Sequence, residues 1–171
     1  MHDGTPEGPP GGTSPVIADR GIIDRGIIST AVAFGQYRWA AQQLSEMLGK
    51  WATEHPEPHT SALLATHGHQ HAEHASAFAA RVPCVGGLAV DDATAPLAEV
   101  AHLLARARSA GDTAAFVHRV YEEALPALEG VYRRHLAATD PRVDGPTARV
   151  LTLAARDLAE QQAAATLVLT P

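Results

Sequence analysis

The histidines of one short stretch are the residues of this chain best suited to chemistry. Four of the ten histidines lie within residues 66–83, which read THGHQHAEHASAFAARVP. In a helix, side chains three or four positions apart share a face. His67, His71 and His74 would then lie together, and imidazoles spaced in this way can bind one metal ion or act as acids and bases near neutral pH. His69 projects to the opposite side, where we expect it to be solvated.

The face that carries the three histidines is predicted to be the core face of its helix. Advancing by about 100° per residue places the large apolar side chains of the same helix on that face: Leu63, Leu64, Phe78 and Val82. The same construction on the other helices turns further polar groups inward, and the predicted interior set is Tyr37, His67, His71, His74, Tyr121, His135, Asp157 and Gln161. A buried polar group without a partner costs about 1–3 kcal/mol, so this set is expected to form a network, a cavity or a metal site.

Two overlapping sites are predicted from this interior set. As ligands of one transition-metal ion, Cu, Zn, Ni or Fe, we expect four imidazoles: His67, His71, His74 and His135. As acid and base groups of a site that needs no cofactor, we expect His71, His74, Tyr121 and Asp157. The alternative is that these side chains are hydrogen-bonded core residues, which is the ordinary role of a single histidine on an apolar face. No residue is predicted to bind an organic cofactor.

The elements that must position these residues are helices. Long Ala-rich and Leu-rich runs, without the β-branched alternation of strands, predict an all-α protein. Breaks that contain Pro or Gly divide the chain into four long helices and one short helix, at about 24–53, 60–82, 95–109, 112–138 and 146–168. This pattern predicts a four-helix bundle with one additional short helix. Thr60 and Asp112 are the expected N-caps of two of these helices.

The domain organisation follows from length and composition. A chain of 171 residues is long enough for one domain with a core, and too short for two. Residues 1–15 carry no large apolar group, apart from Met1, and are expected to be a disordered tail. The helical domain is predicted at 16–171.

Charge and cysteine content exclude several classes of partner. The formal net charge of -6 argues against a nucleic-acid partner or an anionic membrane, which would require a clustered basic surface. The sequence contains no run of about 18 apolar residues, so a membrane span is not predicted. The single Cys84 cannot form an internal disulfide, so a cytoplasmic location is expected. Trp39 and Ile28, on the reverse of the first helix, are expected either to mark a homodimer surface or to be tolerated surface residues.

Three segments of the chain resemble the ferritin-like superfamily. They read HAEHASAFAARVP, VYEEALPALEGVYRRHLAATDP and DGPTARVLTLAARDLAEQ, and the likeness spans about residues 27–168. The branch that they resemble most is that of small bacterial proteins related to tRNA hydroxylases and carboxylate di-iron oxygenases. The resemblance implies a ferritin-like four-helix bundle with a polar interior between the helices.

The sequence departs from that superfamily at the metal ligands. Two ferritin-like helices each carry Glu-x-x-His and two others each give one Glu, all directed at a di-iron centre. Here the matching stretch is His71-Ala-Glu-His74, so that His71 occupies the expected Glu position. The last helix offers Asp157-Leu-Ala-Glu160 without a following His, and the first helix turns Tyr37 inward instead of a Glu. The resemblance therefore implies a scaffold whose metal pocket has been reused by a set richer in imidazole than in carboxylate.

Three functions are compatible with this pattern. The first is a small enzyme that acts on an organic small molecule in the bundle interior, as a tailoring step of the oxidoreductase or isomerase/cyclase type. The second is a non-catalytic ferritin-like protein that binds a metal ion or an apolar ligand, and the third is a structural subunit. Tyr, His, Asp and Gln occupy inner faces where Leu would pack better, which favours a pocket over a purely structural role.

Overall fold

A computed structural model describes residues 15–54, 57–82 and 96–169 of the chain, with side chains from residue 29 to residue 167 of these ranges. The described residues are helical throughout apart from turns, as predicted, and contain no strand. The helices are α1 (Pro15–Glu54), α2 (Pro58–Ala79), α3 (Ala98–Arg108), α4 (Thr113–Val117), a π-helical segment (His118–Ala124), α5 (Leu125–Ala138) and α6 (Gly145–Leu169). The predicted disordered tail lies outside the described residues except for Pro15.

The helix boundaries confirm some predictions and correct others. Helix α1 begins at Pro15 rather than near residue 24, because proline fits the first turn of a helix and no later proline interrupts the repeat that follows it. Asp112 caps α4 as predicted, accepting a hydrogen bond from the backbone N–H of Ala115 at 2.8 Å. Thr60 is not a cap: Glu57 accepts the backbone N–H groups at the start of α2, and Thr60 lies inside the helix.

The π-helical segment interrupts what the sequence predicts as one uniform helix at 112–138. The backbone N–H of Leu125 donates to the carbonyl of Val120, five residues earlier, in place of the usual four. Pro126 follows directly, and it has no N–H with which to bond Glu122, whose carbonyl its ring would crowd in a regular α-helix. The wider turn therefore precedes the proline, and it carries Tyr121.

The helices pack in neighbouring pairs around one core. Helix α1 lies along α2, α5 lies along α6, and α2 also contacts α6, while α3 covers α1 and the π segment. The largest fully buried apolar and aromatic side chains come from α1, α2, α4, α5 and α6. They include Phe34, Leu48, Phe78, Phe116, Leu128, Tyr132, Leu151 and Leu158. None of the described helices combines the length and the apolar character that crossing a membrane demands.

The prediction that Trp39 is exposed on the reverse of α1 is wrong. This side chain is partly buried and packs against the core. Helix α1 is covered by both α2 and α3, so its apolar stripe is wider than a single inward line. The side chain of Ile28 lies outside the described side chains, and a homodimer stays a prediction.

Close packing of α1 against α2 at Gly68 supports a prediction about stability. A Cβ atom at Gly68 would lie 3.3 Å from both the backbone nitrogen of Gly49 and the Cβ of Leu48. Gly68→Leu is therefore expected to destabilise the protein by about 1–3 kcal/mol, since the helices would have to separate. Gly49→Ala meets nothing within 4 Å and is expected to stabilise the protein by about 0.5–1 kcal/mol through helix propensity. Urea denaturation measures the change in the free energy of unfolding of each variant. Equal changes in the two variants would contradict the close packing of α1 against α2 at Gly68.

Candidate functional site

The structure confirms the inward direction of the predicted polar set. Six of its members are buried, namely Tyr37, His67, His71, His74, Tyr121 and Gln161. The other two, His135 and Asp157, are half-buried. His69 is exposed as predicted, with 76% of its side chain accessible, and lies 3.5 Å from Glu73 on the outer face of α2.

His74 and Asp157 form a dyad between α2 and α6. The Nε2 atom of His74 lies 3.0 Å from the Oδ2 atom of Asp157. A carboxylate only accepts hydrogen bonds, so Nε2 carries the proton of this bond. The other ring nitrogen, Nδ1, is buried and has no partner among the described residues. Asp157 also accepts from the Nη2 atom of Arg156 at 3.1 Å, so its carboxylate is held from both sides.

His71 is the least satisfied side chain of the site. Its exposure is 1%, and neither ring nitrogen has a hydrogen-bond partner among the described residues. The rings of His71 and His74 are perpendicular, at 87°, with centroids 5.7 Å apart. Burial lowers the pKa of His71 from 6.5 to about 3, helped by the neighbouring His74 and His67 and partly opposed by a side-chain hydrogen bond that Gln161 offers to the charged ring. His71 is therefore a neutral imidazole at physiological pH.

Gln161 completes the surroundings of this imidazole pair. Its Nε2 atom donates to the Oε1 atom of Gln70 at 2.8 Å, whereas its own Oε1 atom is buried without a partner. The unpaired atoms of His71, His74 and Gln161 thus belong to facing sides of α2 and α6. Gln70 was not among the predicted site residues, because its position one residue before His71 gives no sign of an inward direction.

His67 and Tyr121 form a second pair, between α2 and the π segment. The Nδ1 atom of His67 lies 2.8 Å from the hydroxyl oxygen of Tyr121. Burial lowers the pKa of His67 from 6.5 to about 4, and burial raises the pKa of Tyr121. Both side chains are neutral near pH 7, and each satisfies a polar atom of the other.

His135 belongs to a different part of the interior from the imidazole pair. Its Nδ1 atom lies 2.9 Å from the hydroxyl oxygen of Tyr37, and its ring contacts Phe34. Burial lowers the pKa of His135, and burial raises that of Tyr37 to about 12. Tyr37, expected to be an ordinary core residue, is the hydrogen-bond partner of a predicted metal ligand.

The four predicted metal ligands do not meet at one point. Only His71 and His74 are in direct ring contact, while His67 and His135 each engage a tyrosine hydroxyl. Among the residues that the structure describes, no group of three or more His, Cys, Asp or Glu side chains lies together so that it could hold a metal ion. The carboxylate beside the pair is Asp157, and Glu160 on the same helix is 68% exposed. This donor set does not fit a di-iron centre, and a mononuclear site stays a prediction.

The comparisons with known proteins identify no relative. Neither a family model, nor a curated protein, nor a solved structure matches the chain. The class that the fold and the site define is an all-helical protein with a buried polar centre that contains His67, His71 and His74. A function for this protein is therefore inferred from the chemistry of that centre.

Proposed function

We propose that this protein is a small enzyme that acts on an organic small molecule at the imidazole pair His71 and His74. The observation that carries the proposal is the burial of His71, neither of whose ring nitrogens has a partner in hydrogen-bond geometry among the described residues. A buried polar atom without a partner costs about 1–3 kcal/mol, which a leucine of similar size would avoid. Unsatisfied buried groups call for a reason, and a catalytic role is one of the few that apply.

The dyad gives His74 the properties of a general base. Asp157 accepts the Nε2 proton of His74 and fixes the orientation of the ring. In the neutral form of His74, the Nδ1 lone pair is then free in a dry interior, where hydrogen bonds and charges act more strongly than in water. A substrate proton beside Nδ1 can move to this nitrogen, and Asp157 stabilises the imidazolium that results.

His71 supplies the complementary group. A neutral imidazole has one N–H donor and one acceptor nitrogen. Beside His74 it can donate a hydrogen bond to one substrate atom, while His74 takes a proton from a second atom and returns it to a third. Moving a proton between two atoms of one molecule is the requirement of an isomerase or cyclase, so this reaction type suits the pair. Tyr121 supports the centre through its hydrogen bond to His67.

A ferritin-like four-helix bundle is the architecture that we propose for this site. In support, α1, α2, the helix formed by residues 113–138, and α6 are the long elements, and α3 is the additional short helix. The polar centre includes the stretch His71-Ala-Glu-His74, which stands where the resemblance places a Glu-x-x-His ligand pattern. We also propose a cytoplasmic location and a small-molecule substrate, in keeping with the net charge of -6.

A transition-metal ion is the other form that this centre is proposed to take. The donors would be a nitrogen of His71, the Nδ1 atom of His74 and the Oε1 atom of Gln161, which are buried and make no hydrogen bond within residues 57–82 and 96–169 or to the rest of the described chain. Elemental analysis of the purified protein and of the His71→Ala/His74→Ala variant tests this form. About one equivalent of Cu, Zn, Ni or Fe that is lost in the variant would assign a metal-assisted reaction. Protein that stays free of metal after reconstitution would assign acid and base chemistry.

Activity profiling tests the proposed enzyme without knowledge of its substrate. Purified protein is incubated with a small-molecule extract of the source cells, and mass spectrometry follows which compounds disappear and which form. We expect at least one conversion that is lost in His71→Leu and in His74→Leu. Tyr37→Phe is the matched control, because it removes the hydroxyl group that contacts His135 rather than a group of the imidazole pair, and it is expected to retain the conversion. Stoichiometric binding without turnover would indicate the non-catalytic alternative.

A further inference from the structure

A groove opens beside the π segment, on the side of α6. Its volume is about 250 Å³, and it is lined by Val117, Tyr121, Glu122, Pro126, Gln162, Ala165 and Thr166. The small side chain of Ala165 leaves room on α6, and the wide turn ahead of Pro126 forms the facing wall. The groove was not predicted from the sequence, although Pro126 within a helical pattern indicates a local irregularity of the helix.

Tyr121 connects this groove to the buried imidazoles. Its ring lines the groove, while only 4% of its surface is exposed and its hydroxyl group contacts Nδ1 of His67. His67 lies one helical turn before His71 on the inner face of α2, and one further turn leads to His74. Tyr121 is therefore the boundary between the groove and the proposed reaction centre. π-Helical turns are frequent at functional sites, which agrees with this position.

A larger groove on another face lacks such a connection. Its volume is about 390 Å³, and it lies between α1 and α2, where Arg38, Gln42 and Glu46 face Ala72 and Ser76. None of the buried histidines or tyrosines lines it. The smaller groove is therefore the better candidate for a substrate.

The charge of the smaller groove limits what it can bind. Among the described residues that line it there is no Lys or Arg, and the one formal charge is the carboxylate of Glu122. His118 contacts this carboxylate at 2.9 Å, and 69% of the Glu122 side chain remains exposed. The other lining groups are the Gln162 amide, hydroxyl groups and apolar carbon. An ammonium group with a small apolar body matches this surface, whereas a carboxylate would meet a like charge.

We propose that this groove binds a small organic amine, with its ammonium group at Glu122 and its inner end at Tyr121. That such an amine is also the substrate of the imidazole pair rests on the proposed function, whereas the groove and its charge preference can be tested by binding alone. Glu122 acts here as a specificity-determining residue, since it distinguishes a cation from an anion at the rim.

Two probes of similar size and opposite charge test the groove. Benzylamine and benzoate are titrated into the full-length protein, and NMR follows the ring signals of Tyr121 and the side-chain amide of Gln162. We expect benzylamine to shift both sets of signals and to bind more tightly than benzoate. Glu122→Gln is expected to weaken benzylamine binding about two- to fivefold, the range for an exposed ion pair. Glu46→Gln, in the larger groove, is the matched control and should leave the affinity unchanged.

Defined outcomes would overturn the inference. Benzoate binding as tightly as benzylamine would contradict the charge preference, and shifts confined to residues around Arg38 would contradict the choice of groove. Ala165→Leu fills the groove and should abolish binding, with circular dichroism to confirm that the variant is folded. Amine binding without any conversion in the activity profile would refute only the proposed enzyme. A conversion without amine binding would refute only the present inference.

Discussion

Replacing His71 by leucine is expected to raise the free energy of unfolding by about 1–3 kcal/mol. Leucine fills a similar volume, and it removes the cost of two ring nitrogens that are without a partner in hydrogen-bond geometry in the described part of the chain. In a chain of this size, each kcal/mol corresponds to a rise of about 2–4 °C in the melting temperature. A gain in stability together with a loss of activity would identify His71 as a residue kept for function. Differential scanning calorimetry and urea denaturation measure the gain.

His67→Leu is the matched control for this prediction. The same chemical change is made one helical turn away on α2, but here it leaves the hydroxyl group of Tyr121 buried without its partner. His67→Leu is therefore expected to be at best neutral, and to destabilise the protein by up to about 3 kcal/mol if the hydroxyl finds no water. A loss of stability in His71→Leu of the same size as in His67→Leu would show that His71 is hydrogen-bonded in solution.

Acid is expected to destabilise the protein well above the range in which carboxylates titrate. In the folded state burial lowers the pKa of His71 to about 3 and that of His67 to about 4, whereas an unfolded histidine titrates near 6.5. The unfolded chain therefore binds more protons below pH 6.5, so the full stability is present above this pH and is lost as the pH falls toward 4. The difference in proton binding at these two histidines is expected to lower the free energy of unfolding by about 3–4 kcal/mol between pH 7 and pH 5.

The pH dependence of urea denaturation checks this expectation. The lowered pKa values of Glu57 and Asp144 act in a separate, more acidic window, because carboxylates in an unfolded chain titrate near 4. His135 adds to the histidine window in the same direction, since its pKa is also lowered. In His71→Leu the decrease in the free energy of unfolding between pH 7 and pH 5 should be about half of the decrease in the parent protein. An equal loss in the variant and the parent protein would place the titrating groups elsewhere.

The sequence was sufficient to predict the inward direction of the buried histidines and of Gln161, but not the burial of Thr60 and Thr147. Helical periodicity alone separates His67, His71 and His74 from His69, since the angular position of a residue follows from its number. The all-helical class and most helix limits follow in the same way from composition and from Pro and Gly breaks. These predictions depend on local geometry, which a sequence encodes directly.

The partners of those side chains could not be predicted from the sequence. Whether Asp157 meets His74, or Tyr121 meets His67, depends on how far each helix is shifted along its neighbour, and periodicity does not determine that shift. The predicted grouping of His135 with the other histidines fails to appear for this reason, because Tyr37 lies beside it instead. The π segment adds a further local change of register, so that the groove at Tyr121 becomes evident only in three dimensions.

The most direct test of the account is the protonation of the histidines, observed by long-range ¹H–¹⁵N NMR of the imidazole rings. We expect His71 to stay neutral from pH 7 to about pH 4, and Nε2 of His74 to carry the proton shared with Asp157. His69, which is exposed, provides the reference titration in the same spectra. A positively charged His71 at pH 6, or a His74 that is protonated on Nδ1 alone, would contradict the proposed reaction centre.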